Sequence, residues 1–574
     1  MAYYFYYSIL GLLFVSATCW GQSAPETLYD QTSEVNNLKV PFQADYAILN
    51  RFYTIRSSPE RAGRLEQLIQ QYQQQLAQLK YADLPVGSQV DYLLFARDLE
   101  ETLRQLHQQQ ESYATAEPWV PLASVVYELE QVRRRGAMLE GQEVARQLDS
   151  LQSALKSAMQ TLGKGDSVDR QVAGPAIEML KENRQALENV YEFYHGYDPL
   201  FTWWVEQPYQ QVDTLLVQYA DSLQKKSKVL STQKKDKSGI TGHPIGEAEL
   251  MRQLEYEMIA YSPEELVDIA NREFAWCDEQ MLRATREMGY GTDWKAALEA
   301  VKNTYVPPGK QPEVILRLYN ESVDFVKKHN LITVPPLAEE TWRMRMMSPE
   351  RQLVNPFFTG GEVISISYPT QTMSHEDKLM SMRGNNPHFS RATVHHELIP
   401  GHGLQFFVRD RYKTYRDFNT PFWLEGWSLY WERLLWDLDF PASPEDRIGM
   451  LFWRMHRCAR IIFSLNYHLG KWSPQQCIDF LVDRVGHERA SAEGEVRRSF
   501  EGGYSPLYQI AYMIGGLQFE ALKKELVDRG TMSYRAYHDA VMHQGNMPIE
   551  MLRAILLNQS PPKRYHAQWK FYDE

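Results

Sequence analysis

Residues Val394–Gln405 read VHHELIPGHGLQ. The interpretation of the whole fold depends on whether this segment forms one unbroken helix. Two histidines that bind one zinc ion from a continuous helix are usually four residues apart, about 40° around the helix axis. Here Pro400 stands four residues after His396, and the next histidine is His402. A separation of six residues places two side chains about 240° apart on a regular helix. The two imidazoles could therefore not meet on one unbroken helix.

Two interpretations of this spacing remain open. The motif is accidental, or Pro400-Gly401 forms a two-residue bulge, without which the string reads His-Glu-Leu-Ile-His. Proline removes a helix donor and glycine adopts unusual backbone angles, so the pair suits a bulge. Bulges inside helices cluster at functional sites. We favour the bulge, which predicts that His396 and His402 bind one zinc ion.

A third ligand is expected from a nearby helix, because catalytic zinc sites commonly use two histidines, one glutamate and a water. Glu425 is the candidate, within the apolar stretch Trp423–Glu432 (WLEGWSLYWE), where a buried carboxylate needs a cation. Glu432 lies on the same helix face and could hold a ligand histidine. Alternatively, these glutamates pair with arginines such as Arg433. His395 could be a core histidine or a swapped ligand.

The rest of the chain predicts a mainly α fold with a small β element near the candidate metal segment. Apolar residues recur at steps of three and four in many segments, as in Leu65, Leu68, Tyr72, Leu76 and Leu79. Ser262 followed by Pro263 is typical of a helix N-terminus. Glu362–Tyr368 (EVISISY) alternates like a strand. Such a strand could pair with a peptide by edge addition, or form a structural hairpin.

The first 21 residues predict a signal peptide. Ser8–Ala17 is a short apolar run, and a polar stretch begins at Gln22. Such a run is too short to span a bilayer but suits the core of a secretory leader. We expect export to the periplasm or the medium, with lipidation of Cys19 as an alternative. No later run of eighteen apolar residues occurs, so no transmembrane segment is predicted.

Composition adds three expectations. The formal net charge of −12 argues against a nucleic-acid partner, which requires clustered positive charge. The lysine-rich segment Gln224–Gly246 predicts an exposed connector between an N-terminal helical lobe, residues 22–240, and a catalytic lobe, residues 241–574. The few cysteines are widely spaced, so a metal site must use histidines and carboxylates.

The motifs together resemble a known bacterial family. His396–His402 fits H-E-x-x-P-G-H, and Glu425–Glu432 fits E-G-W-x-L-Y-x-E, the two specific motifs of the DUF885 family. Three further segments resemble family motifs: Leu465–Pro474 (LNYHLGKWSP), Tyr504–Gly516 (YSPLYQIAYMIGG) and Ala536–Leu552 (AYHDAVMHQGNMPIEML). The resemblance covers about residues 50–574. The chain departs from the family pattern at Gly403 and at Asn466-Tyr467.

The resemblance implies a two-lobed, helical, zincin-like metallopeptidase with its active site in a cleft. The expected reaction is zinc-dependent hydrolysis of a peptide or small amide, with Glu397 as general base towards the attacking water. His468, Tyr504 and Tyr512 are candidates to stabilise the oxyanion, because each lies in a family-like segment. Two rival functions stay open: a helical binding protein with a structural metal, and a zinc hydrolase of a non-peptide amide or ester.

Overall fold

The computed structural model describes residues 32–164, 167–228, 236–354, 358–501 and 503–572. The predicted signal peptide and Cys19 lie outside these residues. The described chain is 70% helix and 3% strand, which confirms the mainly α prediction with a small β element. The two-lobed, zincin-like arrangement stays a prediction. Within the described part, every helix is too short or too polar to cross a membrane.

Seven α-helices of the described residues begin before the lysine-rich segment, and the last of them ends within it. They are α1 (Asn36–Phe52), α2 (Pro59–Ala77), α3 (Val86–Ala116), α4 (Ala123–Arg133), α5 (Gly141–Lys164), α6 (Arg170–Tyr194) and α7 (Pro199–Lys226). Two short strands, β1 (Val168–Asp169) and β2 (Ser227–Lys228), pair in parallel beside α6.

Sixteen more α-helices follow in the part of the chain that the structure describes. They are α8 (Gly246–Tyr256), α9 (Pro263–Glu287), α10 (Trp294–Lys302), α11 (Gln311–Lys328), α12 (Pro336–Thr341), α13 (Pro349–Val354), α14 (His375–Gly384), α15 (Pro387–Glu397), α16 (His402–Arg409), α17 (Pro421–Asp437), α18 (Pro444–His468), α19 (Pro474–Phe480), α20 (Arg489–Glu501), α21 (Tyr508–Lys523), α22 (Tyr534–Met542) and α23 (Ile549–Leu556). Short π-helical turns at Leu481–Val485 and Lys524–Asp528 follow α19 and α21.

The helices that carry the candidate site begin at clear sequence signals. A side-chain cap followed by proline starts α15 at Asn386, α17 at Thr420 and α18 at Ser443. The capping oxygen accepts an otherwise unsatisfied backbone N–H, and proline needs no partner there. The predicted cap at Ser262 is confirmed and forms a full capping box with Glu265.

The predicted strand is present but shorter, as β4 (Val363–Ile366), and it pairs in parallel with β3 (Arg343–Met346). The predicted hairpin is limited to one antiparallel bridge, which joins Ser365 to Thr359. On the side of β4 opposite β3, Ser365 exchanges backbone hydrogen bonds of 2.7 and 3.2 Å with Thr359. Both backbone edges of β4 are thus in use at Ser365, so the predicted addition of a peptide strand is wrong there.

Buried apolar side chains form two clusters. The smaller one joins the end of α3 to α4–α7, and the larger one contains α1, α2, most of α3 and most of the helices from α8 onward. Helix α3 crosses both, with Leu106 in the larger cluster and Tyr113 in the smaller. The candidate site lies wholly in the larger cluster, where α15 packs against α17 and α18, and α21 packs against α17. The lobe boundary near residue 240 stays a prediction.

Candidate metal centre

The chain break in the central motif is larger than predicted. Helix α15 ends at Glu397 and a separate helix, α16, begins at His402, so the predicted bulge within one helix is wrong. The four linking residues contain a cis peptide bond between Ile399 and Pro400. The consequence of the bulge is nevertheless observed, because the rings of His396 and His402 lie 5.0 Å apart.

Close backbone packing fixes this break. The Gly401 N–H donates to the carbonyl of His395 at 3.0 Å. A Cβ on Gly401 would collide with the carbonyl oxygen of His396, so only glycine fits. The indole N–H of Trp427 on α17 donates to the Pro400 carbonyl at 3.0 Å. The link between the two histidine helices is therefore held from both sides.

Three buried side chains converge on one point: His396, His402 and Glu425, called here the metal centre. One ligand atom from each lies within 4.8 Å of the other two. Glu425 Oε2 is 3.2 Å from His402 Nε2 and 3.6 Å from His396 Nε2. Tetrahedral zinc with ligand bonds of 2.0–2.1 Å separates its ligand atoms by about 3.3 Å. The donor set and its spacing therefore fit zinc, and the three predicted ligands are together.

The other nitrogen of each imidazole is already bound. His396 Nδ1 lies 2.7 Å from Glu432 Oε1, as predicted for Glu432. His402 Nδ1 lies 3.0 Å from Gln405 Oε1, whose amide nitrogen donates to the Trp423 carbonyl at 3.0 Å. Such partners fix the ring orientation of a ligand histidine. Both Nε2 atoms are consequently left for a shared cation.

The pKa values of Glu425 and His396 at the metal centre are strongly shifted. In the metal-free protein, burial opposes ionisation of Glu425, but His402 and His396 hold its pKa well below the usual range. Burial likewise opposes protonation of His396, yet Glu425 and Glu432 raise its pKa to about 9. Glu425 and Glu432 are therefore ionised, and a cation that binds His396 Nε2 must displace the proton that these carboxylates hold there.

A cavity of about 300 Å³ opens beside the metal centre. Glu397 lines it next to the ligands, and burial raises the pKa of this carboxyl, although His396 and His402 oppose the shift. The Gly361 N–H donates to the Glu397 carbonyl at 3.1 Å, which joins the strand segment to the end of α15. Glu397 therefore stands beside the candidate metal without being one of its three converging ligands.

The structure places only two of the three predicted oxyanion donors at the cavity. Tyr504 and Tyr512 line the cavity, but His468 does not. His468 is buried at the end of α18, with its ring 5.9 Å from that of Phe500. Burial lowers the pKa of His468 to about 4. We therefore withdraw His468 from the candidate site and retain the two tyrosines.

Tyr508 is a site residue that the sequence analysis missed. Its hydroxyl donates to Glu425 Oε1 and lies 3.5 Å from the Tyr512 hydroxyl. Residues 504, 508 and 512 are spaced by four, a signal that could have placed all three on one face. Close backbone contact sets this face against α17, because a Cβ on Gly426 would lie 2.6 Å from the Cα of Gly515.

The structure also shows where His395 and Arg433 lie, the two residues of the remaining alternatives. His395 is fully buried with its ring 5.6 Å from that of Phe440, and it faces the core rather than the cavity. Arg433 turns away from the metal centre. It belongs to a largely buried ion network, called here the Arg433 cluster: Glu273, Arg433, Arg454 and Glu520.

Comparisons with known proteins agree with this architecture. The family model for bacterial proteins of unknown function (DUF885) matches residues 54–556. A putative lipoprotein of unknown function from Shewanella oneidensis is 15% identical with a TM-score of 0.64, covering 92% of this chain and 100% of that one. A putative lipoprotein from Colwellia psychrerythraea is 16% identical with a TM-score of 0.56, covering 90% and 97%. At such identity the likeness shows a shared fold. No curated protein matches the chain.

Proposed function

The chain belongs to the DUF885 family of bacterial proteins of unknown function, and we propose that it is a zinc-dependent hydrolase, specifically a peptidase. One observation carries the proposal. Three ligand atoms of the type that zinc prefers converge within 4.8 Å, and the carboxylate of Glu397 lines the adjoining cavity. A purely structural metal site has no use for such a free carboxylate.

The residues divide the chemistry among them. His396, His402 and Glu425 would hold the ion. When bound, zinc polarises the scissile carbonyl and makes water a better nucleophile near neutral pH. Glu397 takes a proton from the attacking water and passes it to the leaving amine.

The tyrosines supply hydrogen-bond donors. Burial raises the pKa of Tyr508 and of Tyr512, so both hydroxyls stay protonated at neutral pH. Tyr508 positions Glu425 through its hydrogen bond. Tyr512, or Tyr504 across the same cavity, would donate to the oxyanion that develops on the substrate.

We also propose that the protein is exported. The apolar run Ser8–Ala17 suits a secretory leader, and the two similar structures are both putative lipoproteins. The periplasm or the medium is the expected location, with an anchor on Cys19 as the alternative. Cell fractionation with and without a Cys19→Ser substitution separates these cases.

The decisive experiment compares the purified protein with Glu397→Gln. Bound metal is quantified in both, and both are incubated with a mixed peptide library read by mass spectrometry. We expect stoichiometric zinc in both and a loss of cleavage rate of about 10²- to 10⁴-fold in the variant. Zinc in both without cleavage would contradict the peptidase and favour a non-peptide amide or ester. Absence of zinc in both would overturn the metal centre itself.

A further inference from the structure

Three arginines, called here the arginine wall, line the cavity beside the metal centre. Arg457 and Arg460 on α18 and Arg498 on α20 all line it, and the acidic side chains among its described lining residues, Glu397 and Glu425, belong to the metal side of the cavity. Arg457 and Arg460 are only 5% and 2% exposed. Guanidinium groups keep their charge even when buried. So much fixed positive charge beside a candidate active site calls for an explanation.

The carboxylates of the protein satisfy this wall only in part. Arg460 Nε and Arg498 Nε both bind Glu495, at 2.7 and 2.8 Å. Arg457 reaches Glu432 at 3.4 Å. These two carboxylates leave donors of Arg457 and Arg460 without a partner: Arg460 Nη1 and Arg457 Nε are buried with no hydrogen-bond partner among the described residues. Buried donors of this kind are costly unless an acceptor arrives.

The unsatisfied donors lie close to the metal centre. The guanidinium carbons of Arg457 and Arg460 are 4.7 and 4.5 Å from the centre of the Tyr512 ring. The same ring lies 6.0 Å from the ring of His396. An extended residue spans about 3.3–3.6 Å, so at most about three residues of a peptide separate the arginines from the metal ligand.

We propose that Arg460, with Arg457 and Arg498, binds a carboxylate of the substrate close to the scissile bond. This proposal rests on the proposed hydrolase function and names its substrate class. Carboxylates match guanidinium forks in charge and shape. The carboxylate is either the C-terminus of a peptide, which would make the protein a carboxypeptidase for short C-terminal segments, or an Asp or Glu side chain. The cavity of about 300 Å³ is small for a ligand site, which suits a short segment.

Three synthetic peptides test the proposal: one sequence as the free acid, the same sequence as the C-terminal amide, and the amide with a glutamate near the cleaved bond. We expect kcat/KM for a carboxylate-bearing peptide to exceed that for the plain amide by about 10- to 150-fold, since a hydrogen bond to a charged group contributes that much. Preference for the first peptide assigns the C-terminus, and preference for the third assigns a side chain. Equal cleavage of all three would overturn the proposal while leaving the peptidase intact.

Two matched variants on α18 localise the effect. Arg460→Lys keeps the charge but loses the fork, and we expect the ratio of acid to amide cleavage to fall towards one, mainly through KM. Arg454→Lys makes the same change in the Arg433 cluster, outside the cavity, and should leave that ratio unchanged. Equal effects of both substitutions would contradict the assignment. Thermal melting of each protein excludes loss of the fold as the cause.

Binding provides a readout that does not need turnover. Calorimetric titration of the acid and the amide into Glu397→Gln, with and without zinc, should show tighter binding of the acid in both states. Acid preference in binding without any cleavage by the parent protein would support the carboxylate site and overturn the hydrolase. Cleavage by the parent protein without tighter binding of the acid would support the hydrolase and overturn the carboxylate site.

Discussion

The metal centre and the Arg433 cluster are two groups of buried charges that share α17, yet their charges are arranged in opposite ways. In the Arg433 cluster, positive and negative groups alternate and neutralise one another. Arg433 binds Glu273 at 2.7 Å and Glu520 at 2.5 Å, and Arg454 binds Glu273 at 2.8 Å. In the metal centre, two imidazole nitrogens and a carboxylate oxygen converge instead.

This difference shows which buried charges indicate function. Proteins bury charges at a cost, and the charges of the Arg433 cluster neutralise one another, although Arg454 Nε has no hydrogen-bond partner among the described residues. An open set, with several donors aimed at one point beside a cavity, is complete only with a ligand. Burial and charge are common to both clusters. Only the direction of the donor atoms and the cavity distinguish them.

The largest expected difference comes from two adjacent histidines. His396→Ala should abolish stoichiometric zinc binding, because it removes one of three ligands. His395→Ala removes a neighbouring buried imidazole that faces the core, and it should leave the metal content of the folded protein unchanged. Measuring the zinc content of the two purified variants tests this prediction. Loss of zinc from His395→Ala alone would show that the ligands are swapped.

The Arg433 cluster should respond in stability rather than in metal binding. Arg433→Met leaves the carboxylates of Glu273 and Glu520 buried without their main partner, so we expect a loss of about 3–5 kcal/mol. Arg317→Met, which breaks the exposed pair with Glu321, should cost less than about 1 kcal/mol. Chemical denaturation measures both. Release of zinc from folded Arg433→Met would show that the two clusters are coupled.

Acid should weaken the Arg433 cluster through Glu273. Burial opposes ionisation of Glu273, but Arg433 and Arg454 outweigh it and lower its pKa from 4.5 to about 2. A lowered pKa stabilises the fold above the unfolded value, and the contribution, about 3 kcal/mol, is lost as pH falls from about 4.5 to about 2. Stability measured against pH should show this component in the parent protein. It should be missing from Glu273→Gln, and a parallel profile for the two proteins would refute the assignment.

The smallest effect should come from the partner of a ligand. Glu432→Gln keeps an acceptor for His396 Nδ1 but removes its charge, so we expect zinc affinity to fall by about 10- to 100-fold. Glu520→Gln makes the same change in the Arg433 cluster and should leave the affinity unchanged. Competition with a chelator of known affinity measures both variants.

Residue type and spacing predicted much of the metal centre. Histidines and glutamates in an apolar setting identified the three side chains that converge, and Glu432 was expected beside one of these histidines. The N-termini of helices could be predicted from the sequence because the capping residue and the proline lie within the first helical turn. These features depend on local chemistry, which a single sequence contains.

The parts that were missed depend on distant contacts. The end of α15 at Glu397 was interpreted as a bulge, because local sequence does not show that Trp427 holds the Pro400 carbonyl. The arginine wall forms only where α18 meets α20. His468 failed for a geometric reason: it lies eleven residues after Arg457, so it shares that helix face but sits roughly 16 Å further along the axis.

The contact between Gly426 and Gly515 has a consequence for anyone who wishes to redesign this protein. At this one contact backbone touches backbone, so neither glycine can be enlarged without separating α17 from α21, and the hydrogen bond between Glu425 and Tyr508 depends on that separation. Variant libraries that aim at new substrates should therefore leave this pair of helices untouched. The arginine wall across the cavity is the replaceable part.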